Sequence, residues 1–253
     1  MKTISFVIPV YNEQKRITKT FEALKRVKLP LGLKLSEVIF VNDGSTDQTK
    51  AKINRFRMKN KKIASIKLIS YEKNMGKGFA VKQGMLASDA DYTLFFDADM
   101  STPLSELNKF MPLMNNGDDV IFGTRKNGHS TVIKHQPLYR ELMGKVFTQM
   151  TKTILGLSVT DFTCGFKAFS RQATQKIFSR SIINGWGYDA EIAFIAKKNG
   201  FEIFEKPIIW ANDEGTKVKL YKAVPQTLLD LGKIHINHSI KGAFKNASLS
   251  PAA

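Results

Sequence analysis

The chain has 253 residues, of which 43% are hydrophobic and 24% charged; it is long enough for one large domain, and its composition excludes a disordered, collagenous or fibrous protein. Lysine and arginine (39) outnumber aspartate and glutamate (22), and the net charge of +17 points to nucleic acid, anionic lipid or a phosphorylated small molecule as partner. A single cysteine excludes an internal disulfide, and no apolar stretch reaches the length of about 18 residues that a membrane span needs, so we expect a cytoplasmic protein.

Short apolar segments alternate with longer helical patterns in the first half of the chain. Strands are predicted near residues 5–9, 37–42, 65–70, 92–97 and 119–123. Helices are predicted over residues 13–26, 46–60, 78–87 and 103–114. This alternation is typical of βαβ units around a largely parallel sheet.

The second half completes the α/β pattern. A polar, basic loop is predicted over 124–136, a helix over 137–157, a strand near 165–170, helices from 171 and over 189–199, and a strand pair around 201–210. Residues 216–249 are basic, with apolar residues at helical spacing. We therefore predict an α/β domain over 1–215, with a mostly parallel central sheet flanked by helices, and a basic amphipathic segment over 216–253.

Two carboxylates leave the carboxyl end of a predicted central strand. Asp97 and Asp99 are two residues apart, so in an extended chain their side chains point the same way. Ligands of open α/β sheets lie at this edge, and a pair of carboxylates there suits Mg²⁺ or Mn²⁺. The alternative is a solvated turn with a helix cap.

Two further strands end in polar loops at the same edge. Asp43 follows one of them, where a carboxylate can bind a nucleobase or ribose, and Tyr11 and Glu13 follow the other. The alternative for the Asp43 loop is structural, with Ser45 or Thr46 capping the next helix.

A third segment offers an anion site. Lys77 lies between Gly76 and Gly78 at the start of a predicted helix, where backbone N–H groups and the lysine favour a phosphate. The spacing of a Walker loop is absent.

Together these segments resemble the inverting family-2 glycosyltransferases with the GT-A (nucleotide-diphospho-sugar transferase) fold. The matching segments are VIPVYNE (7–13), VNDGSTD (41–47), NMGKG (74–78) and DAD (97–99) followed by STP (101–103). Later segments are most similar to polyprenyl-phosphate transferases, particularly the dolichyl-phosphate β-glucosyltransferases. These are GTR (123–125), DFTCGFK (161–167), WGYDAE (186–191), and Trp210 followed by EGTK (214–217).

The resemblance implies metal-dependent transfer of a hexose, glucose from UDP-glucose, to a polyprenyl or dolichyl phosphate; the alternative is GDP-mannose, as in the related mannose synthases. The residues that would hold the nucleotide are Pro9, Tyr11, Glu13, Val41 and Asp43, with Lys77 as the anion ligand. Asp97, Ala98 and Asp99 would bind the diphosphate and metal, and Arg125 would approach the donor phosphates or the acceptor. Arg140 and Lys217 would bind the acceptor phosphate, and the alternative for Arg140 is a solvated helix position.

A phosphate monoester is already anionic at neutral pH, so the implied reaction does not require a strong base. Asp161, Asp189 and Glu191 remain as bases or sugar-hydroxyl ligands, and we count Asp189 among the catalytic candidates. The alternative is that Asp189 caps a helix and serves as the structural partner of Lys167.

The lipid acceptor implies contact with a membrane. We expect the segment 216–249, helped by 124–157, to lie at the cytoplasmic face of an anionic bilayer, or a separate membrane partner protein to supply the contact. The alternative is that this helix packs on its own domain. A nucleic-acid-binding protein is a further alternative because seven cationic residues lie between 50 and 62, but no accompanying binding motif is present, so we expect no nucleic-acid partner.

Overall fold

Seven strands form the central sheet of the computed structural model, which describes residues 1–126, 129–213 and 220–240, with the side chains of Arg140, 220–225 and Ile240 excepted. The strands of this sheet are β1 (Lys2–Val10), β2 (Leu33–Asp43), β3 (Ser65–Tyr71), β4 (Tyr92–Phe96), β5 (Val120–Thr124), β7 (Phe166–Ser170) and β8 (Ile203–Pro207). A two-stranded sheet contains β6 (Thr131–Lys134) and β9 (Ile209–Ala211).

The predicted α/β architecture with a mostly parallel sheet is confirmed. The strands run in the order β3-β2-β1-β4-β7-β5-β8, and neighbouring pairs are parallel except those that β7 makes with β4 and β5. The central strands β1, β2 and β4 therefore end side by side. We call this side of the sheet, where Val10, Asp43 and Phe96 end their strands, the carboxyl edge.

Helices cover both faces of the sheet. They are α1 (Ile17–Arg26), α2 (Thr49–Lys59), α3 (Lys77–Leu86), α4 (Met111–Asn116), α5 (Leu138–Leu155), α6 (Arg171–Phe178), α7 (Tyr188–Lys198) and α8 (Leu220–His235). Successive strand residues point to opposite faces, so Phe6 and Val7 of β1 belong to different hydrophobic clusters. The cluster around Phe6 includes α1, α2 and α4, and that around Val7 includes α3, α6 and α7.

The single helix predicted over 103–114 is wrong. A 3₁₀ helix, Leu104–Lys109, is followed by the separate helix α4, which begins at Met111. Pro112 explains the break, because proline has no backbone N–H to donate and its ring clashes with the backbone carbonyl one helical turn earlier.

The predicted loop over 124–136 and the predicted strand pair around 201–210 are both corrected by the second sheet. Strand β6 lies inside the predicted loop and pairs in parallel with β9, whereas β8 pairs with β5 in the central sheet. Pro207 ends β8, and Ile208 is fully buried between the two strands. The short β9 therefore joins a different sheet from β8.

The C-terminal helix α8 packs on the domain through part of its surface. Leu231 and Ile234 are fully buried in the cluster around Val7, whereas Leu229 is exposed. The packing alternative is thus observed for the described part of this helix. The division at residue 215 and the membrane role of 216–253 stay predictions, because 214–219 and 241–253 lie outside the described residues. None of the helices in the described ranges combines the length and hydropathy that crossing a bilayer requires.

Candidate active site

Asp97 and Lys77 meet at the carboxyl edge. Asp97 directly follows β4, and its backbone N–H donates to the carbonyl oxygen of Gly165 at 3.2 Å. Its Oδ1 forms an ion pair with Lys77 Nζ at 2.7 Å. Although burial lowers the pKa of Lys77, the charges of Asp97 and Asp189 raise it on balance above its ordinary value. The structure thus brings together two segments that the sequence nominated separately.

Asp99 lies half-buried beside Asp97. Its Oδ1 accepts a hydrogen bond from the backbone N–H of Ser101 at 2.9 Å. Burial raises the pKa of Asp99, and the negative charge of Asp97 raises it further. A cation bound between two such carboxylates would remove their repulsion.

The carboxylate pair fits a divalent metal of the Mg²⁺ or Mn²⁺ type. Carboxylate oxygens are the hard ligands that these ions prefer. In the described ranges no three histidine, cysteine, aspartate or glutamate side chains form a metal-binding group. A cation at Asp97 and Asp99 would therefore complete its coordination with water and ligand phosphates, which is how Mg²⁺ commonly binds.

Gly165 packs closely against the carboxylate of Asp97. A Cβ at this position would lie 2.1 Å from Asp97 Oδ2 and 2.5 Å from its Cγ, well inside van der Waals contact. Gly165 precedes β7, the antiparallel neighbour of β4, so the pairing of these strands carries the glycine to the carboxylate. Only a residue without a side chain leaves Asp97 in its observed position.

Asp43 organises the loop that precedes Lys77. Its carboxylate accepts hydrogen bonds from Asn74 Nδ2 at 2.9 Å and from the backbone N–H groups of Met75 at 2.7 Å and Gly76 at 3.1 Å. A nucleotide-binding role for Asp43 stays a prediction. Its observed hydrogen bonds connect the end of β2 to the loop that leads into α3.

The capping alternative for Ser45 and Thr46 is wrong. Helix α2 begins at Thr49, after a cap residue that makes no side-chain capping bond. Instead, Ser45 Oγ accepts from the backbone N–H of Asn12 at 2.9 Å, and Asn12 Oδ1 accepts from the backbone N–H of Thr46 at 2.8 Å. These bonds join the loops after β1 and β2.

Glu13 is held by an arginine that sequence reasoning did not nominate. Arg16 Nε and one terminal nitrogen donate to the two carboxylate oxygens of Glu13 at 2.7 and 2.6 Å, and its other terminal nitrogen donates to Asp213 at 2.9 Å. Burial lowers the pKa of Arg16, but its bonds to Glu13 and Asp213 raise it on balance. The charge of Asp99 also acts on Arg16, so this cation belongs to the site. The three-residue spacing from Glu13 was its only signal in the sequence.

The remaining predicted nucleotide residues lie along the same edge with different exposure. Tyr11 is exposed, Pro9 is half-buried on β1, and Ala98 is buried with its carbonyl oxygen accepting from Thr20 Oγ1 at 2.6 Å. Val41 is fully buried and packs against Gly84 of α3. A nucleotide contact of Val41 would therefore involve its backbone.

Arg125 follows β5 and is clamped by Asp161. Its Nε and one terminal nitrogen donate to the two oxygens of Asp161 at 2.7 and 2.8 Å, and the guanidinium lies over the ring of Trp210, 5.0 Å from the centroid. Burial raises the pKa of the enclosed Asp161, but the Arg125 charge lowers it on balance below its ordinary value. The charge of Asp97 also acts on Arg125, so the two residues interact electrostatically.

Asp189 lies in the first turn of α7 and pairs with Lys167, whose ammonium is fully buried on β7. The alternative of a structural partnership with Lys167 is therefore observed, whereas the cap position belongs to Gly187 and makes no side-chain bond. The catalytic role of Asp189 stays a prediction. Burial raises the pKa of Asp189 above its ordinary value even though Lys167 opposes the shift. Glu191 accepts from the backbone N–H groups of Ile182 and Ile183, each at 2.9 Å.

Two predicted acceptor ligands fall outside what the structure describes. Lys217 lies in the undescribed segment, and only the backbone position of Arg140, on α5, is described. Their roles stay predictions.

Sequence reasoning also missed the tasks of Gly165 and Trp210. Both lie in segments that carried the family resemblance, but neither type of residue has chemistry that would nominate it alone. Their roles are visible only in the folded structure. Gly165 leaves room for the carboxylate of Asp97, and the ring of Trp210 lies under the guanidinium of Arg125.

Comparisons with known proteins agree with this geometry. Residues 5–178 match the model of glycosyl transferase family 2. The chain is 30% identical to the dolichyl-phosphate β-glucosyltransferase of Dictyostelium discoideum over 93% of this chain and 74% of that protein. It is 33% identical to the enzyme of the same name from Saccharomyces cerevisiae (86% and 69%) and 30% identical to that from Homo sapiens (96% and 78%).

Solved structures identify the fold. The glucosyl-3-phosphoglycerate synthase of Mycobacterium tuberculosis with bound UDP superposes with a TM-score of 0.67 at 18% identity, covering 92% of this chain and 80% of that one. A complex of that enzyme with Mn²⁺ and UDP-glucose gives 0.65 at 20% identity, covering 91% and 79%. The expected GT-A fold is confirmed. With the family model matching more than half of its length, the chain belongs to glycosyl transferase family 2 and is a glycosyltransferase.

Proposed function

We propose that this glycosyltransferase moves glucose, with inversion, from UDP-glucose to a polyprenyl phosphate of the dolichyl type at a membrane surface, with Mg²⁺ or Mn²⁺ at Asp97 and Asp99. The names of the relatives support the acceptor and the sugar. The UDP-glucose and Mn²⁺ in the neighbouring solved structure support the donor and the metal. The pair of half-buried carboxylates at the carboxyl edge supports the same site.

The pairing of the other carboxylates is the observation that carries the acceptor class. Glu13 is held by Arg16, Asp161 by Arg125 and Asp189 by Lys167. Asp161 is a weak base because the charge of Arg125 holds its pKa below the ordinary value. Glu13 and Asp189 each have a carboxylate oxygen already bound to a cation, so that oxygen is not free to accept a proton from an acceptor. Transfer to a sugar hydroxyl calls for a base, whereas a phosphate monoester arrives already ionised, with a second pKa of about 6. These pairs therefore favour a phosphate acceptor.

The neighbouring cations Arg125 and Lys126 suit an anionic acceptor. Lys126 Nζ lies 3.9 Å from Asp161 Oδ1, next to the Arg125 ion pair. Burial lowers the pKa of Lys126, with a smaller contribution from the charge of Arg125. An incoming phosphate would stabilise the ammonium of Lys126, and the two cations together would orient the phosphate.

In the proposed reaction, a phosphate oxygen forms a bond to the anomeric carbon of glucose while the bond from that carbon to the diphosphate breaks. The diphosphate leaves with the electron pair, and the product has inverted configuration at that carbon. Lys77 would stabilise the charge that develops on the leaving group. The bound divalent cation would supply Lewis-acid neutralisation of the same diphosphate.

The direct test offers purified protein a polyprenyl phosphate together with UDP-glucose or GDP-mannose, with and without Mn²⁺. We expect a metal-dependent β-linked glucosyl lipid from UDP-glucose, detected by mass spectrometry of the lipid extract. The same lipid as a free alcohol serves as the control acceptor. Transfer to the alcohol would contradict the argument from paired carboxylates, and a product from GDP-mannose alone would overturn the assigned donor.

Gly165→Ala should lower the kcat/KM of this reaction about a hundredfold, because the added methyl group displaces the carboxylate of Asp97 and misplacement of about 1 Å at a reacting centre has effects of that size. Gly232→Ala in α8 is the matched control, since its Cβ would meet nothing within 4 Å. Thermal unfolding of both variants separates misplacement from loss of fold. A Gly165→Ala enzyme with full activity would refute the role of this glycine.

An apolar surface on α5 is suited to the lipid. Leu138, Tyr139, Leu142 and Val146 are all exposed, and we call them the α5 surface. The exposed fraction is 63% for Leu142 and 52% for Val146. Leu138, Leu142 and Val146 are spaced four residues apart, so these three share one face of the helix. On the inner side, Thr148 of this helix accepts from Lys126, so the α5 surface lies beside the site. Exposed apolar patches near a site commonly mark an interaction surface.

The double variant Leu142→Asp/Val146→Asp should lose binding to vesicles of phosphatidylcholine and phosphatidylserine. Each aspartate adds a negative charge that is costly to move into the bilayer and that repels anionic lipid. Flotation at low salt measures the bound fraction. Leu31→Asp is the control, as Leu31 is fully exposed just before β2, at the opposite edge of the sheet. Equal flotation of both variants and the unchanged protein would exclude the α5 surface as the membrane contact.

A further inference from the structure

The Lys77 ammonium occupies one of the coordination positions of the Asp97 carboxylate, the group that would bind a metal ion. Its Nζ lies 2.7 Å from Oδ1 of Asp97, while Oδ2 faces the close wall of Gly165. A cation that binds Asp97 in this position must therefore compete with Lys77 for Oδ1. The charges of Asp99 and Asp189 also act on Lys77, so the ammonium neutralises the acidic cluster from within.

Lys77 also contacts an aromatic ring, and its ammonium can reach a phosphate bound near the start of α3. Its Nζ lies 5.5 Å from the ring centroid of the half-exposed Trp186. Lys77 is also the first residue of α3, so its side chain starts at the positive end of the helix dipole, which favours a phosphate. The backbone N–H groups of Gly78 and Phe79 already donate to the carbonyl oxygen of Asn184 at 2.8 and 3.3 Å, so the ammonium of Lys77 is the group that would contact the phosphate. A lysine has four flexible side-chain bonds, so its ammonium can exchange one anion for another while its backbone stays fixed.

We propose that Lys77 is an internal counter-ion that blocks the metal position on Asp97 and moves to the diphosphate when the donor binds, which makes nucleotide and metal promote each other's binding. This inference rests on the proposed donor and metal site. Linkage requires the promotion to be reciprocal, since each ligand removes a cost that the other would meet. The lysine thereby disfavours binding of the metal without the donor.

The test measures Mn²⁺ binding by electron paramagnetic resonance of the free ion, with and without UDP, so that it does not depend on activity. In the absence of UDP, Lys77→Met should bind Mn²⁺ about tenfold more tightly than the unchanged protein, which corresponds to loss of one partly buried competing ion pair. UDP should strengthen Mn²⁺ binding less in the variant, because the competing charge is already gone. Lys77→Arg, which keeps the charge, should bind Mn²⁺ no more tightly than the unchanged protein.

Lys73→Met is the matched control because Lys73 is an exposed lysine of the same loop, and its removal changes the net charge equally. Equal Mn²⁺ affinity of the Lys77→Met and Lys73→Met proteins, each folded by circular dichroism, would overturn the counter-ion role and leave the proposed function intact. Failure of every protein to bind Mn²⁺, even with UDP, would overturn the metal site itself and the inference with it.

Discussion

An Asp99→Asn enzyme should lose about a hundred- to a thousandfold in kcat for glycosyl transfer, the range observed when one electrostatic contact to a developing charge is removed. Its free energy of unfolding should stay the same or rise. Asparagine keeps an oxygen to accept the hydrogen bond from Ser101, and the substitution relieves the repulsion between Asp99 and Asp97. Loss of activity without loss of stability is typical of a residue selected for function.

The pH dependence of the stability difference provides a second measurement. Burial raises the pKa of Asp99 in the folded protein, so ionising this carboxyl group costs more in the folded than in the unfolded state. The cost is absent below the unfolded pKa of about 3.9 and grows as pH rises toward the folded pKa. Asp99→Asn should therefore gain stability relative to the unchanged protein at neutral pH, and this gain should disappear in acid.

Asp89→Asn is the matched control, since Asp89 is exposed and precedes β4, at the opposite end of this strand from Asp99. Activity of the Asp99→Asn enzyme within tenfold of the unchanged protein would exclude the carboxylate as a metal ligand. A fall in activity that matches a fall in the folded fraction would also exclude this role, because the loss would then come from unfolding.

The sheet and its acidic edge could be predicted because their signals are local. A buried parallel strand is a continuous apolar run, and a carboxylate that follows such a run must lie at the carboxyl edge. Asp43, Asp97 and Asp99 satisfy this rule, and the structure places all three there. The break at Pro112 could have been found in the same way, since proline interrupts a helix whatever surrounds it.

The partners of the charged residues could not be predicted because they depend on distant strand pairing. Arg125 and Asp161 are 36 residues apart, and Lys167 meets Asp189 only because α7 packs against the sheet next to β7. Strand β6 was missed for a related reason. Its four residues pair with the short β9, so the contact that makes it a strand lies 77 to 78 residues further along the chain. A local pattern contains no information on such contacts.

The ion pair between Lys167 and Asp189 gives the largest expected effect on stability. Lys167 is fully buried, donates to the carbonyl oxygen of Phe162 at 2.7 Å, and lies over the rings of Phe95 and Phe122. Lys167→Met should lower the free energy of unfolding at neutral pH by about 3–5 kcal/mol, because it leaves a buried carboxylate without its cation. Urea denaturation measures the change.

A double-mutant cycle separates this cause from the loss of packing. Lys167→Met/Asp189→Leu removes both charges, so it should be more stable than the sum of the single substitutions predicts, by about 2 kcal/mol. The destabilisation by Lys167→Met alone should grow as pH rises, since burial already raises the pKa of Asp189 and losing the lysine raises it further, so ionisation of this group opposes folding. In acid, where Asp189 is protonated in both states, the single variant should approach the stability of the double variant. Additive effects that do not change with pH would mean that Lys167 acts through packing and its bond to Phe162 rather than as the counter-ion of Asp189.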